Sequence, residues 1–156
     1  MRISDFLRDK AISVSLKATD KPGVVRELVQ LLVKAGEVKP TDADRFVEVL
    51  LAREALGSTG IGQGVGIPHG KSNCVSELVG AFGIAPRGVN FDALDGEPVY
   101  IFFLLVAPED AAGPHLKALA RISRLLKDKF FRDNLREAKD ERTVLRTIQQ
   151  EDQKHA

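Results

Sequence analysis

Residues 99–106 read VYIFFLLV and residues 78–85 read LVGAFGIA. Neither run alternates with polar residues. Each is short, rich in Val, Ile and Phe, and bounded by Pro, Gly or Asp, which is how a strand covered on both faces reads. A sheet built on such strands needs a helical layer on each side, and the sequence before and after supplies helical periodicity. The fold class predicted is α/β (α+β by stricter definitions), a three-layer α/β/α sandwich with a mixed sheet of about five strands.

Upstream, Ile12, Val14 and Leu16 alternate with polar residues and predict a half-buried strand. Asp20, Pro22 and Gly36 bracket a helix whose apolar positions Val25, Leu28, Val29, Leu32 and Val33 keep helical spacing. Thr41 followed by Asp44 reads as a capping signal for a second helix to Leu56, with Gly57 at its end and Phe46, Val49 and Leu50 inward. Between the two apolar runs, RGVNFDALDGEP (87–98) predicts a turn, a short edge strand and another turn.

Downstream, Gly113 and Pro114 open a helix with Leu116, Leu119, Ile122, Leu125 and Leu126 on its apolar face, Pro taking the first helical position. Phe130, Phe131 and Leu135 continue that face after a bend. Asp140 caps a last helix carrying Val144, Leu145 and Ile148. The polar tail 149–156 is expected to fray.

A chain of 156 residues suits one domain, 1–156. Lys and Arg total 23 against 22 Asp and Glu, so the chain lacks the basic excess of a general nucleic-acid binder. The longest apolar run, Val99 to Ala107, is shorter than the roughly 17–25 residues of a membrane helix. MRISDFLRDK places charges where a signal peptide is apolar. The one cysteine, Cys74, excludes an internal disulfide and a cysteine zinc cage. These features predict a cytoplasmic protein with no direct membrane insertion.

The stretch 53–73, REALGSTGIGQGVGIPHGKSN, carries the chemistry. Six glycines fall within Gly57 to Gly70, at 57, 60, 62, 64, 66 and 70. Such a run allows positive φ and exposes N–H groups that bind anions. It is neither a Walker A loop, lacking Gly-Lys-Ser/Thr, nor a dinucleotide fingerprint, since GIGQGVG leads into extended IPH. Pro68 biases Ile67 toward extended geometry, which puts His69 at the end of a short strand on a stiff tether. A neutral imidazole is nucleophilic near neutral pH, and phosphoryl transfer asks for positioning and charge stabilisation. Composition and spacing alone favour a plain turn or core role for His69 over a phosphoryl acceptor.

GSTGIGQGVGIPHGK (57–71) resembles the phosphorylation motif of the fructose/mannitol-type enzyme IIA domains of the bacterial phosphotransferase system (PTS). FDALDGEPVYIFFLLVAPEDAAGPHLKALARISRLL (91–126) resembles the second half of that domain, and the likeness runs from about Ile3 to Ile148. The resemblance implies that His69 accepts the phosphoryl group. It places His115 at a helix start and Arg53 at the end of another as its partners. A helix N-terminus opposes imidazole protonation and favours an anion, so a neutral His115 can donate to phosphoryl oxygens. Arg53 brings a permanent charge and a planar fork. Ser58 and Thr59 are weaker candidates for hydroxyl donation to the same group, since turn formation explains them equally.

The implied donor is the phosphocarrier HPr or its nitrogen-branch relative, and onward partners are a IIB domain or regulated target proteins. No organic cofactor is implied, and no metal-ligand spacing such as HExxH appears. Within the family, MRISDFLRDKAISVSLKATDK and GSTGIG look more like the nitrogen-regulatory branch, a regulator of nitrogen or potassium metabolism. The sugar-transport branch, passing phosphate to IIB, is the alternative. A third reading is a binding scaffold like the similar cytoplasmic domain of anion exchangers, and the joint presence of His69, Arg53 and His115 argues against it.

Other residues read as structural. Cys74 has no histidine paired with it in a catalytic pattern. Lys117, Arg121 and Arg124 form one solvated helix face. Asp92 and Asp95 are turn formers, and His155 lies in the tail.

Overall fold

The computed structural model describes residues 1–155. Six strands form one mixed sheet: β1 (Leu7–Ser13), β2 (Gly60–Gly62), β3 (Val65–Gly66), β4 (His69–Lys71), β5 (Val79–Val89) and β6 (Val99–Ala107). Its order is β1-β5-β6-β3-β2, with β4 also pairing β6. The two apolar runs are indeed the central pair. β5 and β6 run antiparallel from Val79↔Val106 to Ile84↔Ile101, while β1 lies parallel to β5, and β3 and β4 parallel to β6.

Five helices cover the sheet: α1 (Lys21–Lys34), α2 (Ala43–Ala55), α3 (Ala112–Leu125), α4 (Lys129–Glu137) and α5 (Glu141–Lys154). Along β6 the faces alternate. Phe102, Leu104 and Val106 pack with α1 and α2, whereas Ile101, Phe103 and Leu105 pack with α3, α4 and α5. Both faces are buried, which is why the sequence of β6 shows no polar alternation. The three-layer prediction stands, with six strands in place of about five.

Local chemistry explains the boundaries. Asp20 caps α1 by accepting from Gly23 N at 2.9 Å. At its other end Gly36, at φ 77°, closes a Schellman turn in which Glu37 N donates to Leu32 O and Gly36 N to Val33 O. Asp140 caps α5 through Thr143 N at 2.7 Å, as expected.

Other expectations are corrected. The first strand starts earlier and ends at Ser13. Leu16 lies beyond it, still buried, with its N–H donating to Ile84 O. Thr41 does not cap α2 by a side-chain bond, because a 3-10 turn over Pro40–Asp42 feeds that helix directly. The segment 90–98 holds no strand: Asn90 and Asp95 side chains satisfy its turns through Asp92 N and Glu97 N. The glycine run supplies the strand beside β6 in its stead. Gln63 and Gly64, at φ 57° and 79°, make the left-handed two-residue turn that joins β2 to β3.

The largest corrections concern the C-terminal third. Pro114 is the third residue of α3, which begins at Ala112. Leu116 is exposed, and so is Phe130, because Asp128 caps a separate helix α4 whose inward residues are Phe131 and Leu135. The tail does not fray through 154: α5 continues, and Asp152 is 1% exposed. Its carboxylate accepts from Arg121 Nε and from Ile3 N, both at 2.9 Å. Arg121 is therefore buried, not part of a solvated face, and Lys117 and Arg124 alone keep that description. Ala156 lies outside the described residues. No described helix is long and apolar enough to cross a membrane.

Candidate functional site, a cleft lined by two histidines

His69 opens β4 rather than ending a strand. β3 and β4 keep one register along β6, with Val65 opposite Ile101 and His69 opposite Leu105. They are a single extended segment interrupted at Ile67 and Pro68. Pro68 has no N–H, and its carbonyl accepts from Leu105 N. Ile67 N points away from β6 and donates to Thr59 O at 3.0 Å. The Ile67 carbonyl then faces the His69 ring, 2.7 Å from Nδ1. A carbonyl oxygen only accepts, so Nδ1 carries the proton and Nε2 keeps its lone pair. This is the acceptor that the sequence did not reveal.

β4 is a sheet edge overhung from both layers. Val49, Ala52, Arg53 and Leu56 of α2 and its end line one wall of a cleft of about 510 Å3, and Ala112, His115, Leu116 and Leu119 of α3 line the other. His69, Gly70 and Lys71 form its floor. The three predicted residues His69, Arg53 and His115 therefore converge. The two imidazoles meet edge-to-face, with centroids 5.5 Å apart.

The electrostatics favour neutral rings beside positive charge. Burial lowers the pKa of His69; the Ile67 carbonyl raises it, Arg53 lowers it and the Glu54 carboxylate raises it. Burial, then His69 and Lys71, lower that of His115 to about 4. His115 Nε2 is buried and has no hydrogen-bond partner, an uncommon state for a buried polar atom and one that suits a ligand-facing group. Arg53 Nη1 donates to Gly57 O at 2.8 Å, which steers the guanidinium at the end of α2. Among the described residues neither Arg53 nor Lys71 has a carboxylate within ion-pair distance. Two uncompensated cations thus flank the histidine pair, a charge match for a phosphoryl dianion.

Ser58 and Thr59 stand elsewhere. Ser58 Oγ donates to Phe91 O at 2.7 Å, and Thr59 Oγ1 donates to the Glu54 carboxylate. Neither lines the cleft. With both hydroxyl protons committed to these partners, the two side chains hold the turn. Cys74 sits half-buried with Sγ 3.9 Å from Arg45 Nη1. Asp95 accepts from Gln63 N and Glu97 N, consistent with turn formation, while Asp92 pairs with Lys21. No group of three or more metal-ligating side chains occurs among the described residues.

Sequence reasoning passed over Lys71 and Glu54. Lys71 stands two residues from His69 on a strand, which puts the two on one face, a signal that was readable. Glu54 is an acid in the last turn of a helix, against the helix dipole, and that misfit points to a specific partner.

A mixed sheet between helical layers thus brings a half-buried histidine and a second histidine into one cleft flanked by Arg53 and Lys71. The chain belongs to the family described as "Phosphoenolpyruvate-dependent sugar phosphotransferase system, EIIA 2", which it matches over residues 5–151. It is 42% identical over 144 residues to a nitrogen regulatory protein of Bradyrhizobium diazoefficiens, covering 92% of each chain. It is 38% identical over 152 residues to the PTS fructose-specific EIIABC component of Bacillus subtilis, covering 97% of this chain and 24% of that one. The crystal structure of the nitrogen regulatory protein IIA-Ntr from Neisseria meningitidis superposes with a TM-score of 0.85 at 34% identity, covering 94% of this chain and 98% of that one.

Proposed function

We propose that this EIIA protein accepts a phosphoryl group on Nε2 of His69 from a histidine-phosphorylated carrier, HPr or its nitrogen-branch relative, and acts in the cytoplasm as a regulator. The observation that carries the reading is the convergence of a free His69 Nε2, the unpartnered His115 Nε2 and Arg53 on one cleft. In the transfer, the Nε2 lone pair attacks phosphorus and the donor's N–P bond breaks, returning its electron pair to the donor ring. The His69 ring gains positive character while Nδ1 keeps its proton, so the hydrogen bond to Ile67 strengthens. Arg53 and His115 stabilise the transferring oxygens.

The rim supports a protein partner. Leu56 is 85% and Leu116 68% exposed, one on each wall of the cleft. Phosphorylation adds close to two negative charges between them, so a partner docking there distinguishes the two forms electrostatically. The likeness to a nitrogen regulatory protein favours a regulatory output. The likeness to a fructose-specific EIIABC component favours a second reading, onward transfer to a IIB domain.

The test uses labelled phospho-HPr. The wild type takes up label, and His69→Ala does not; label retained by His69→Ala overturns the assignment. Adding a purified fructose-type IIB domain then separates the outputs, since onward transfer of label supports transport and its absence supports regulation.

A further inference from the structure

Beneath the cleft lies a chain of hydrogen bonds that begins at a residue outside the three just assigned. Glu54 is 6% exposed, in the last turn of α2, immediately after Arg53. Its carboxylate accepts from Thr59 N at 3.2 and 3.3 Å and from the Thr59 hydroxyl. Lys21 Nζ lies 3.2 Å away, held also by Asp92 at 3.4 Å and lying 4.8 Å from the centroid of the Phe91 ring. A buried carboxylate with this many partners is fixed in place.

From Glu54 the contacts run in two directions. Thr59 O accepts from Ile67 N at 3.0 Å, and Ile67 O accepts from His69 Nδ1 at 2.7 Å. The turn that Glu54 ties down through Thr59 also contains Gly57, whose carbonyl accepts from Arg53 Nη1 at 2.8 Å and whose N–H donates to Glu54 O at 3.1 Å. The buried carboxylate therefore holds Thr59, whose carbonyl leads to the backbone that orients the His69 ring, while the Glu54 backbone carbonyl holds Gly57, which steers the Arg53 guanidinium.

We propose that Glu54 is a positioning residue for phosphoryl transfer, acting through Thr59 and Ile67 to hold the His69 ring with Nδ1 protonated and Nε2 presented to the cleft. The proposal rests on the reading of His69 as the phosphoryl acceptor. The physical reason is twofold. The Nε2 attack requires one tautomer, and a loosened Ile67 carbonyl lets the ring exchange between two. The ring also becomes cationic as the N–P bond forms, and the fixed Glu54 carboxylate favours that change through its negative charge. Glu54 touches neither the phosphoryl group nor the ring.

The test combines a tautomer measurement with a rate. In the full chain labelled with 15N-imidazole, wild-type His69 is expected to show a single Nδ1–H form. Thr59→Ser, which keeps the hydroxyl, should behave as the wild type. Thr59→Val and Glu54→Gln should show mixed tautomers and take up label from phospho-HPr about tenfold more slowly, the loss expected for a misplaced nucleophile. A folded Glu54→Gln protein with the wild-type tautomer and rate overturns the proposal; if Glu54→Gln fails to fold, the same result in Thr59→Val overturns it. The tautomer readout does not depend on transfer. Label retained by His69→Ala would therefore sink the acceptor reading, while the tautomer ratios still decide the role of Glu54.

Discussion

The imidazoles of His69 and His115 meet edge-to-face, with ring centroids 5.5 Å apart and planes at 69°. Burial, reinforced by His69 and Lys71, holds the pKa of His115 at about 4 against an ordinary 6.5. In the unfolded chain the ring protonates near 6.5, so between those values the unfolded state binds more protons. Stability contributed by the neutral ring is complete above that window and is lost as pH falls through it. Urea unfolding at pH steps across the window should show stability rising with pH. His115→Asn should flatten the rise, and an unchanged slope in the variant would contradict the assignment.

Lys71 shares the cleft floor with His69 and contributes to the low pKa of His115. Lys71→Ala should move the His115 titration upward, read from its ring proton in an NMR titration. Phosphoryl uptake should slow by about fivefold at most, the scale of an exposed charge contact. The difference between variant and wild type should shrink in high salt, because exposed charges are screened.

Arg53 differs from a simple cation because Gly57 O holds one of its nitrogens and leaves the rest of the fork free. Arg53→Lys keeps the charge and loses the fork. Uptake of label by Arg53→Lys should fall by about 100-fold, as for a lost preorganised donor, with His69 still the acceptor. A rate within twofold or so of wild type would assign Arg53 a purely electrostatic role.

Arg121 and Asp152 tie α3 to α5 and to the N-terminus through Ile3. Arg121→Ala leaves a buried carboxylate without its cation, so chemical denaturation should register a loss of about 3–5 kcal/mol. Replacing both by apolar residues of similar size should recover much of it.

How the sequence encodes these features varies with range. The runs at 78–85 and 99–106 expose the sheet and its two helical covers directly, because burial on both faces removes polar alternation. The caps at Asp20 and Asp140 are equally readable, since they act within three residues. Arg121 and the tail are illegible in the sequence for the opposite reason. Their pairing spans 31 residues, and a charged side chain gives no local sign of burial. In the site, His69, His115 and Arg53 stood out through the family motif, but the Ile67 carbonyl that sets the His69 tautomer is a backbone group with no signature in the sequence. Glu54 left only a faint mark, an acid at the wrong end of a helix.

With Ile67 O occupying Nδ1, a phosphoryl group on His69 has only Nε2 to bond to. Combined 31P and 15N NMR on the phosphorylated, 15N-histidine-labelled protein tests it most directly. One phosphorus resonance coupled to Nε2 of His69 is expected, with Nδ1 still protonated. Coupling to Nδ1 of His69, or to any nitrogen of His115 or His155, would contradict it.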